Sequence, residues 1–156
     1  LLYLCPSCEQ AGTIKGRHSL LTCSACGLQA VYTPQGTLEG APYNRLQDWA
    51  RWQRRRLGEL LKQGGTPIGD DAQQLRRVND DHSLQPAAQG QMRMGREGLW
   101  VGDVHFPLEN IAGMAIFRRN RLMFTTRDGA YYDIDPRLAG SALKYRDAFE
   151  LLAEKE

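Results

Sequence analysis

The sequence predicts an α+β fold that is mainly β, in three parts. Three observations predict it. Two Cys-x-x-Cys pairs fall within the first 26 residues. Apolar residues between positions 44 and 63 recur at helical spacing. From Gln91 onward the pattern turns strand-like, with turn signals every few residues. The chain has 156 residues, 42% of them hydrophobic and 24% charged, which fits a globular protein and excludes wholesale disorder. The net charge of +2 is too small to demand a nucleic-acid or membrane partner by bulk electrostatics. No apolar run approaches the ~20 residues that span a bilayer.

Residues 1–40 form the first part. Cys5-Pro6-Ser7-Cys8 and Cys23-Ser24-Ala25-Cys26 are separated by 14 residues. Two residues between cysteines let both sulfurs of a pair face one point. Two such turns, joined by short antiparallel strands, close a tetrahedron of thiolates, the arrangement that zinc prefers. Thr13–Lys15 and Leu20–Thr22 predict a hairpin through residues 16–19, and residues 28–32 predict a third strand. Gly27 supplies the permissive backbone after the second pair. The spacing sits just short of the usual ~15–20 residues between pairs. Two disulfides would require an oxidising compartment, and a redox pair normally occurs once beside a βαβ pattern. The expectation is therefore a structural Zn2+ held by Cys5, Cys8, Cys23 and Cys26, with no open position for catalysis. A unit this small lacks an adequate apolar core, so metal binding supplies folding free energy. Substituting Cys5 by Ser is then expected to unfold the first 40 residues and leave the rest folded.

Residues 41–90 read as a basic helix followed by a connector. Asn44 is a candidate N-cap, and Gly64-Gly65 before Pro67 is a stop. Leu46, Trp49, Ala50, Leu57, Leu60 and Leu61 share one stripe. Residues 41–69 carry a surplus of four positive charges. Arg51 and Arg55 take the polar face, and Arg54 lies at its border. The first reading is an amphipathic helix that packs its apolar stripe on a neighbouring domain while the arginines are solvated; the alternative is a basic face for phosphates, with Trp52 off the main stripe near the polar border. Residues 66–90 hold Pro67, Gly69, Pro86 and Gly90, and read as a long loop with one short helix at Ala72–Val78.

Residues 91–156 predict several short antiparallel strands. Gln91–Met94 and Leu99–Val101 flank a Gly-containing turn, and Val104–Phe106 follows Gly102-Asp103. Ile111–Phe117 and Leu122–Thr126 enclose the turn Arg118-Arg119-Asn120-Arg121. Ala130–Ile134 follows Asp128-Gly129, a hairpin signal because both central residues tolerate positive φ. Ser141 is a candidate cap for a last helix with Tyr145, Ala148, Phe149 and Leu152 on one face. This order is similar to the strand grammar of pleckstrin-homology-like domains, which implies a small β-barrel or curled sheet with a C-terminal helix. Arg118, Arg119 and Arg121 are candidate anion or lipid contacts at one hairpin tip.

Catalytic patterns are missing. None of the glycines spells a phosphate-binding or dinucleotide loop, and neither a Ser elbow nor His-Glu-x-x-His occurs. His18 lies in a hairpin turn, and His105 is expected to pack beside the sheet.

One combination of residues resembles a known family. Tyr3-Leu4-Cys5-Pro6-Ser7-Cys8, Gly12-Thr13-Ile14, Leu21-Thr22-Cys23-Ser24-Ala25-Cys26-Gly27, and Tyr32 followed by Gly36-Thr37-Leu38-Glu39-Gly40 are similar to a zinc-ribbon segment. With Asp48-Trp49-Ala50-Arg51-Trp52-Gln53 after it, the stretch resembles the C-terminal extension of some bacterial 1-acyl-glycerol-3-phosphate acyltransferases. The resemblance covers residues 1–60 well and the rest loosely. That family transfers an acyl chain to a lysophosphatidate at the inner membrane face, using a His with an Asp five positions later. Here His18, His82 and His105 are followed at that distance by Cys23, Ala87 and Asn110. The family's Pro-Glu-Gly substrate motif is absent as well.

The resemblance therefore implies a non-catalytic accessory region, with the enzyme's own catalytic domain as its partner. The opening Leu1-Leu2-Tyr3-Leu4, without Met, fits a segment of a longer protein whose reaction lies upstream. Docking on an anionic membrane surface, in a cytoplasmic and peripheral location, goes with this expectation. The alternative is a zinc ribbon that binds nucleic acid or protein. Nucleic acid is the weaker choice, because the ribbon offers only Lys15, Arg17 and Tyr32 on its strands.

Overall fold

A computed structural model describes residues 2–118, 121–134 and 142–154. It contains two antiparallel sheets and two helices.

The first sheet has the order β1(Ile14–Arg17), β2(Leu20–Cys23), β3(Gln29–Tyr32), β4(Leu38–Glu39). Its register pairs Ile14 with Cys23 and Leu21 with Ala30. Successive side chains alternate between faces, so Ile14, Leu21, Ala30 and Leu38 share one face. That face packs on Trp49 and Leu46 of the first helix. Trp49 is fully buried. Truncating such a side chain to Ala costs about 3–5 kcal/mol.

Helix α1 spans Leu46–Lys62. Its N-cap is Arg45, without a side-chain cap bond, rather than Asn44. Trp49, Gln53, Leu57 and Leu61 are its buried residues, at positions i, i+4, i+8 and i+12. Gln53 is the surprise on this stripe.

The second sheet has seven strands in the order β8-β7-β6-β5-β11-β10-β9. These are β5(Ile68–Val78), β6(Leu84–Gly95), β7(Gly98–Val101), β8(Val104–Pro107), β9(Ile111–Phe117), β10(Arg121–Thr126) and β11(Tyr131–Ile134). The connector expected at residues 66–90, and the short helix at Ala72–Val78, are therefore corrected: this stretch supplies most of the longest hairpin in the fold. The register shifts between Asp70 and Gln73 and between Leu75 and Arg76. Each shift breaks the period-two alternation that identifies a strand. Pro86 is tolerated because this half of β6 pairs with β5 alone, while β7 meets β6 only at Met92–Gly95.

The sheet is strongly curled. Neighbouring strands lie about 4.8 Å apart, so the edges of a flat seven-stranded sheet would be separated by about 29 Å. Here the edge strands β8 and β9 are joined by the single 3-10 turn Leu108–Asn110. Phe106 of β8 sits 5.0 Å, ring to ring, from Phe124 of β10 and 5.0 Å from Tyr132 of β11. Among the described residues no ladder joins β8 to β9, so the curl stops short of a closed barrel. Gly98 permits the tight β6–β7 turn: its φ is 126°, and a Cβ there would lie 2.1 Å from the carbonyl oxygen of Phe106.

Helix α2(Leu143–Ala153) packs against α1, β6 and β9. Tyr145, Ala148 and Leu152 enter the core with Met94, Leu99 and Phe124. Ser141, the expected cap, lies outside the described residues. The Asp128-Gly129 turn differs from expectation, since only Gly129 takes positive φ (91°). Asp128 instead accepts bonds from the Thr126 hydroxyl and the Ala130 amide, which closes the loop.

Candidate metal centre and its bracing

The two Cys-x-x-Cys turns are built alike. In the first, the amide of Glu9 donates to the carbonyl of Cys5 at 2.9 Å; in the second, Gly27 donates to Cys23 at 3.0 Å. Both closing residues take the left-handed conformation, with φ 61° at Glu9 and 80° at Gly27. Glu9 thus does what a glycine does in the second turn, and its side chain bonds Arg56 of α1 at 2.7 Å.

The turns bring four sulfurs together. The Sγ atoms of Cys5, Cys8, Cys23 and Cys26 all lie within 4.8 Å of one another. Cys5 and Cys26 are 3.6 Å apart, and Cys8 and Cys23 are 3.7 Å apart. A tetrahedron of sulfurs, each about 2.3 Å from a central zinc, has edges of about 3.8 Å. The separations are far beyond the ~2.05 Å of a disulfide. The four residues thus fit a metal ion, and a set of four thiolates selects a soft or borderline one.

The thiols differ in environment. Cys5 and Cys23 are buried, Cys8 is half-buried and Cys26 is exposed. Burial pushes the Cys5 thiol up to about 12. Burial also disfavours the Cys23 thiolate, but the Thr13 hydroxyl 3.2 Å away and the amides of Cys26 and Ala25 outweigh it and bring Cys23 to about 6. A cation at the centre favours all four thiolates, so ligand binding and deprotonation are linked. If all four thiolates held one ion, no coordination position would be left open for a substrate.

The centre is tied to the remainder of the fold by polar groups around Tyr3 and Leu4. Gln53 Oε1 accepts from the Tyr3 amide at 2.9 Å and the Leu4 amide at 3.2 Å. The Trp49 indole N–H donates to the Leu4 carbonyl at 2.8 Å. The Tyr3 phenol donates to Asp147 of α2 at 2.8 Å, and Arg54 donates to the other oxygen of Asp147 at 2.8 Å. Beside this lies a second buried cluster. Lys144 bonds Asp70 of β5 at 2.8 Å, and Tyr145 donates to the same carboxylate at 2.5 Å. The Lys144 side chain is wholly buried and lies beneath Gly12 of the ribbon. None of these roles was assigned from the sequence. Gln53 gives a faint signal, a polar residue inside an apolar stripe; Asp147 and Lys144 give none, since α2 carries charge on several sides.

The candidate anion contacts are not brought to one place. Arg54 is committed internally, pairing with Asp147, Glu150 and Glu154. The Arg51 side chain is 77% exposed, and among the described residues its ion-pair partner is Asp48, at 3.5 Å. Arg55 is exposed without an ion-pair partner among the described residues. At the β9–β10 tip, Arg118 takes φ 58° and lies over the exposed Phe117 ring. Arg121 leans toward Asp133, 3.8 Å away. Arg119 lies outside the described residues. His105 stacks on Trp100 with ring centroids 4.1 Å apart, and His18 stays at its exposed turn. Among the described residues no helix is long and apolar enough to cross a membrane. No protein-family model and no curated protein matches the chain.

Proposed function

We propose that the chain is a non-catalytic accessory region of a phospholipid or glycerol acyltransferase. In this reading a separate catalytic domain transfers the acyl chain to lysophosphatidate. The region binds one structural Zn2+ and docks against that domain or the inner face of the cytoplasmic membrane.

One observation carries the reading. The two sequence segments that resemble the acyltransferase extension touch each other: Tyr3 and Leu4 are held by Gln53 and Trp49. Asp48-Trp49-Ala50-Arg51-Trp52-Gln53 is thus the partner of the ribbon's first strand-like segment, and the two form one structural signature. The closed thiolate set supports a scaffold role over catalysis. The exposed Arg51 and Arg55 supply positive charge for an anionic surface.

A second reading, a ribbon that binds protein or nucleic acid, is favoured by the outer face of the first sheet. Arg17, Leu20 and Val31 lie across from one another there, with Leu20 37% and Val31 42% exposed.

Co-sedimentation with vesicles containing anionic phospholipid, run beside a DNA and RNA shift assay, separates the two. Binding to vesicles that falls with added salt, and weakens in Arg51→Ala/Arg55→Ala, is expected. Nucleic-acid binding without vesicle binding would reverse the choice. Metal analysis is expected to return about one zinc per chain. The gene's upstream reading frame is expected to encode a His with an Asp five positions on; a frame lacking it overturns the acyltransferase assignment.

A further inference from the structure

The loop before α1 and the polar face of that helix enclose a groove of about 440 Å³, a size suited to a small ligand. Tyr43 and Asn44 form one wall; Asp48, Arg51, Trp52 and Arg55 form the other. The four helical residues stand at i, i+3, i+4 and i+7, so they make one continuous stripe. Tyr43 and Trp52 are an aromatic pair with ring centroids 6.0 Å apart. Along the stripe a carboxylate, Asp48, stands at the N-terminal end, the Arg51 guanidinium and the Trp52 ring lie side by side in the middle, and the Arg55 guanidinium stands at the C-terminal end.

This order selects a ligand. A bare anion meets the arginines but is repelled by Asp48. A bare cation meets Asp48 and the rings but is repelled by Arg51 and Arg55. A molecule carrying both charges, joined by a short carbon bridge, satisfies every group. We propose that this groove binds a phosphoester–ammonium zwitterion, of the phosphoethanolamine or phosphocholine class. The ammonium end lies at Asp48 along the edge of the Tyr43–Trp52 pair, where cation–π attraction from an exposed ring face adds to the carboxylate. The phosphoester end is held by Arg51 and Arg55. The 3.5 Å contact between Arg51 and Asp48 is their resting pairing, and both groups are exposed enough to release it. The ligand takes both partners: Asp48 turns to the ammonium and Arg51 to the phosphate. Arg54 and Arg56, on the same helix, are excluded because they are engaged with Asp147 and Glu9.

The inference deepens the membrane reading and rests on it only for the source of the ligand, a lipid headgroup or a free phosphodiester. The full chain, loaded with zinc and labelled with 15N, is titrated with glycerophosphoethanolamine and with glycerophosphocholine. The Trp52 indole N–H signal, assigned with Trp52→Phe, is followed. A saturable shift is expected with at least one of them, weakened about tenfold by Asp48→Asn and by Arg55→Ala, the loss of one charge-assisted contact. Inorganic phosphate and ethanolamine, each alone, are expected to bind at least about tenfold more weakly. The absence of a saturable Trp52 shift with both glycerophosphodiesters, or a shift unchanged in both variants, overturns the site. Vesicles of phosphatidylethanolamine then separate the sources. Soluble ligand bound without vesicle binding keeps the groove and removes the membrane reading; a silent groove with vesicle binding does the reverse.

Discussion

Tyr3 and Asp147 are 144 positions apart and share a hydrogen bond of 2.8 Å. Tyr3 lies two residues before the first cysteine of the cluster, and Asp147 lies in the last helix. Tyr3 and Leu4 belong to the same apolar core as Met94, Leu99 and Phe124 of the curled sheet. The ribbon is therefore not a separate bead on the chain.

Metal removal is accordingly predicted to weaken the sheet as well as the ribbon. This revises the expectation that Cys5→Ser leaves the rest of the chain intact. Hydrogen exchange at the Leu122 and Phe124 amides, measured with and without a chelator, checks it. Faster exchange is expected after chelation; unchanged protection would restore the picture of two independent units.

Asp147→Asn is predicted to cost about 1–3 kcal/mol, because it weakens a charge-assisted acceptor shared by Tyr3 and Arg54. Tyr3→Phe removes one of those bonds and costs about 1 kcal/mol. Urea denaturation of the metal-loaded chain measures both.

Lys144→Met is predicted to be worse, at about 3–5 kcal/mol, because it leaves Asp70 buried and unpaired. The pair Lys144→Met/Asp70→Asn is expected to recover most of that loss, since the neutral amide in place of the carboxylate still accepts from Tyr145. A double variant as unstable as the single one would show that the ion pair itself, rather than the orphaned charge, sets the cost.

Alkaline pH is predicted to destabilise the fold through two buried phenols. Burial, and then Asp147, raises Tyr3 well above its ordinary 10.0; burial, and then Asp70, does the same at Tyr145. The native state therefore holds these protons more tightly than the unfolded chain. Their stabilising effect is complete below the unfolded value near 10.0 and is lost as pH rises above it. The loss is about 1.4 kcal/mol per pH unit for each tyrosine. Unfolding midpoints measured from pH 8 upward in Tyr3→Phe should show about half the slope of the parent chain above pH 10.

The two knuckles respond differently to substitution. Gly27→Ala places a Cβ in open space, so its cost is the left-handed backbone alone, about 1–2 kcal/mol. Glu9→Gly relieves the same strain in the first knuckle but loses the exposed pair with Arg56, leaving a net change within about 1 kcal/mol. Competition with a chromophoric chelator reads both as changes in metal affinity.

The four-cysteine cluster was legible because its geometry is local. Two residues between cysteines suffice to aim two sulfurs at one point, and the hairpin between the pairs is written in short-range pattern. The α1 stripe and the strands from Ile111 to Ile134 were legible for the same reason. The β5–β6 hairpin was not, because register shifts at Asp70/Gln73 and Leu75/Arg76 erase the alternation on which the reading depends.

By itself, then, the sequence determined the four-cysteine centre, the basic helix and the mainly β character of the remainder. Tertiary structure alone decided which arginines stay free and which polar groups are buried. Arg54 and Arg55 are adjacent, and the helical pattern separates them only as border and polar face. One is drawn to Asp147, 93 positions away, and the other faces solvent. Periodicity reports which face of an element turns inward. It does not report what waits there, because the charges that complete Arg54, Lys144 and Tyr3 arrive from helices and strands that only folding brings near.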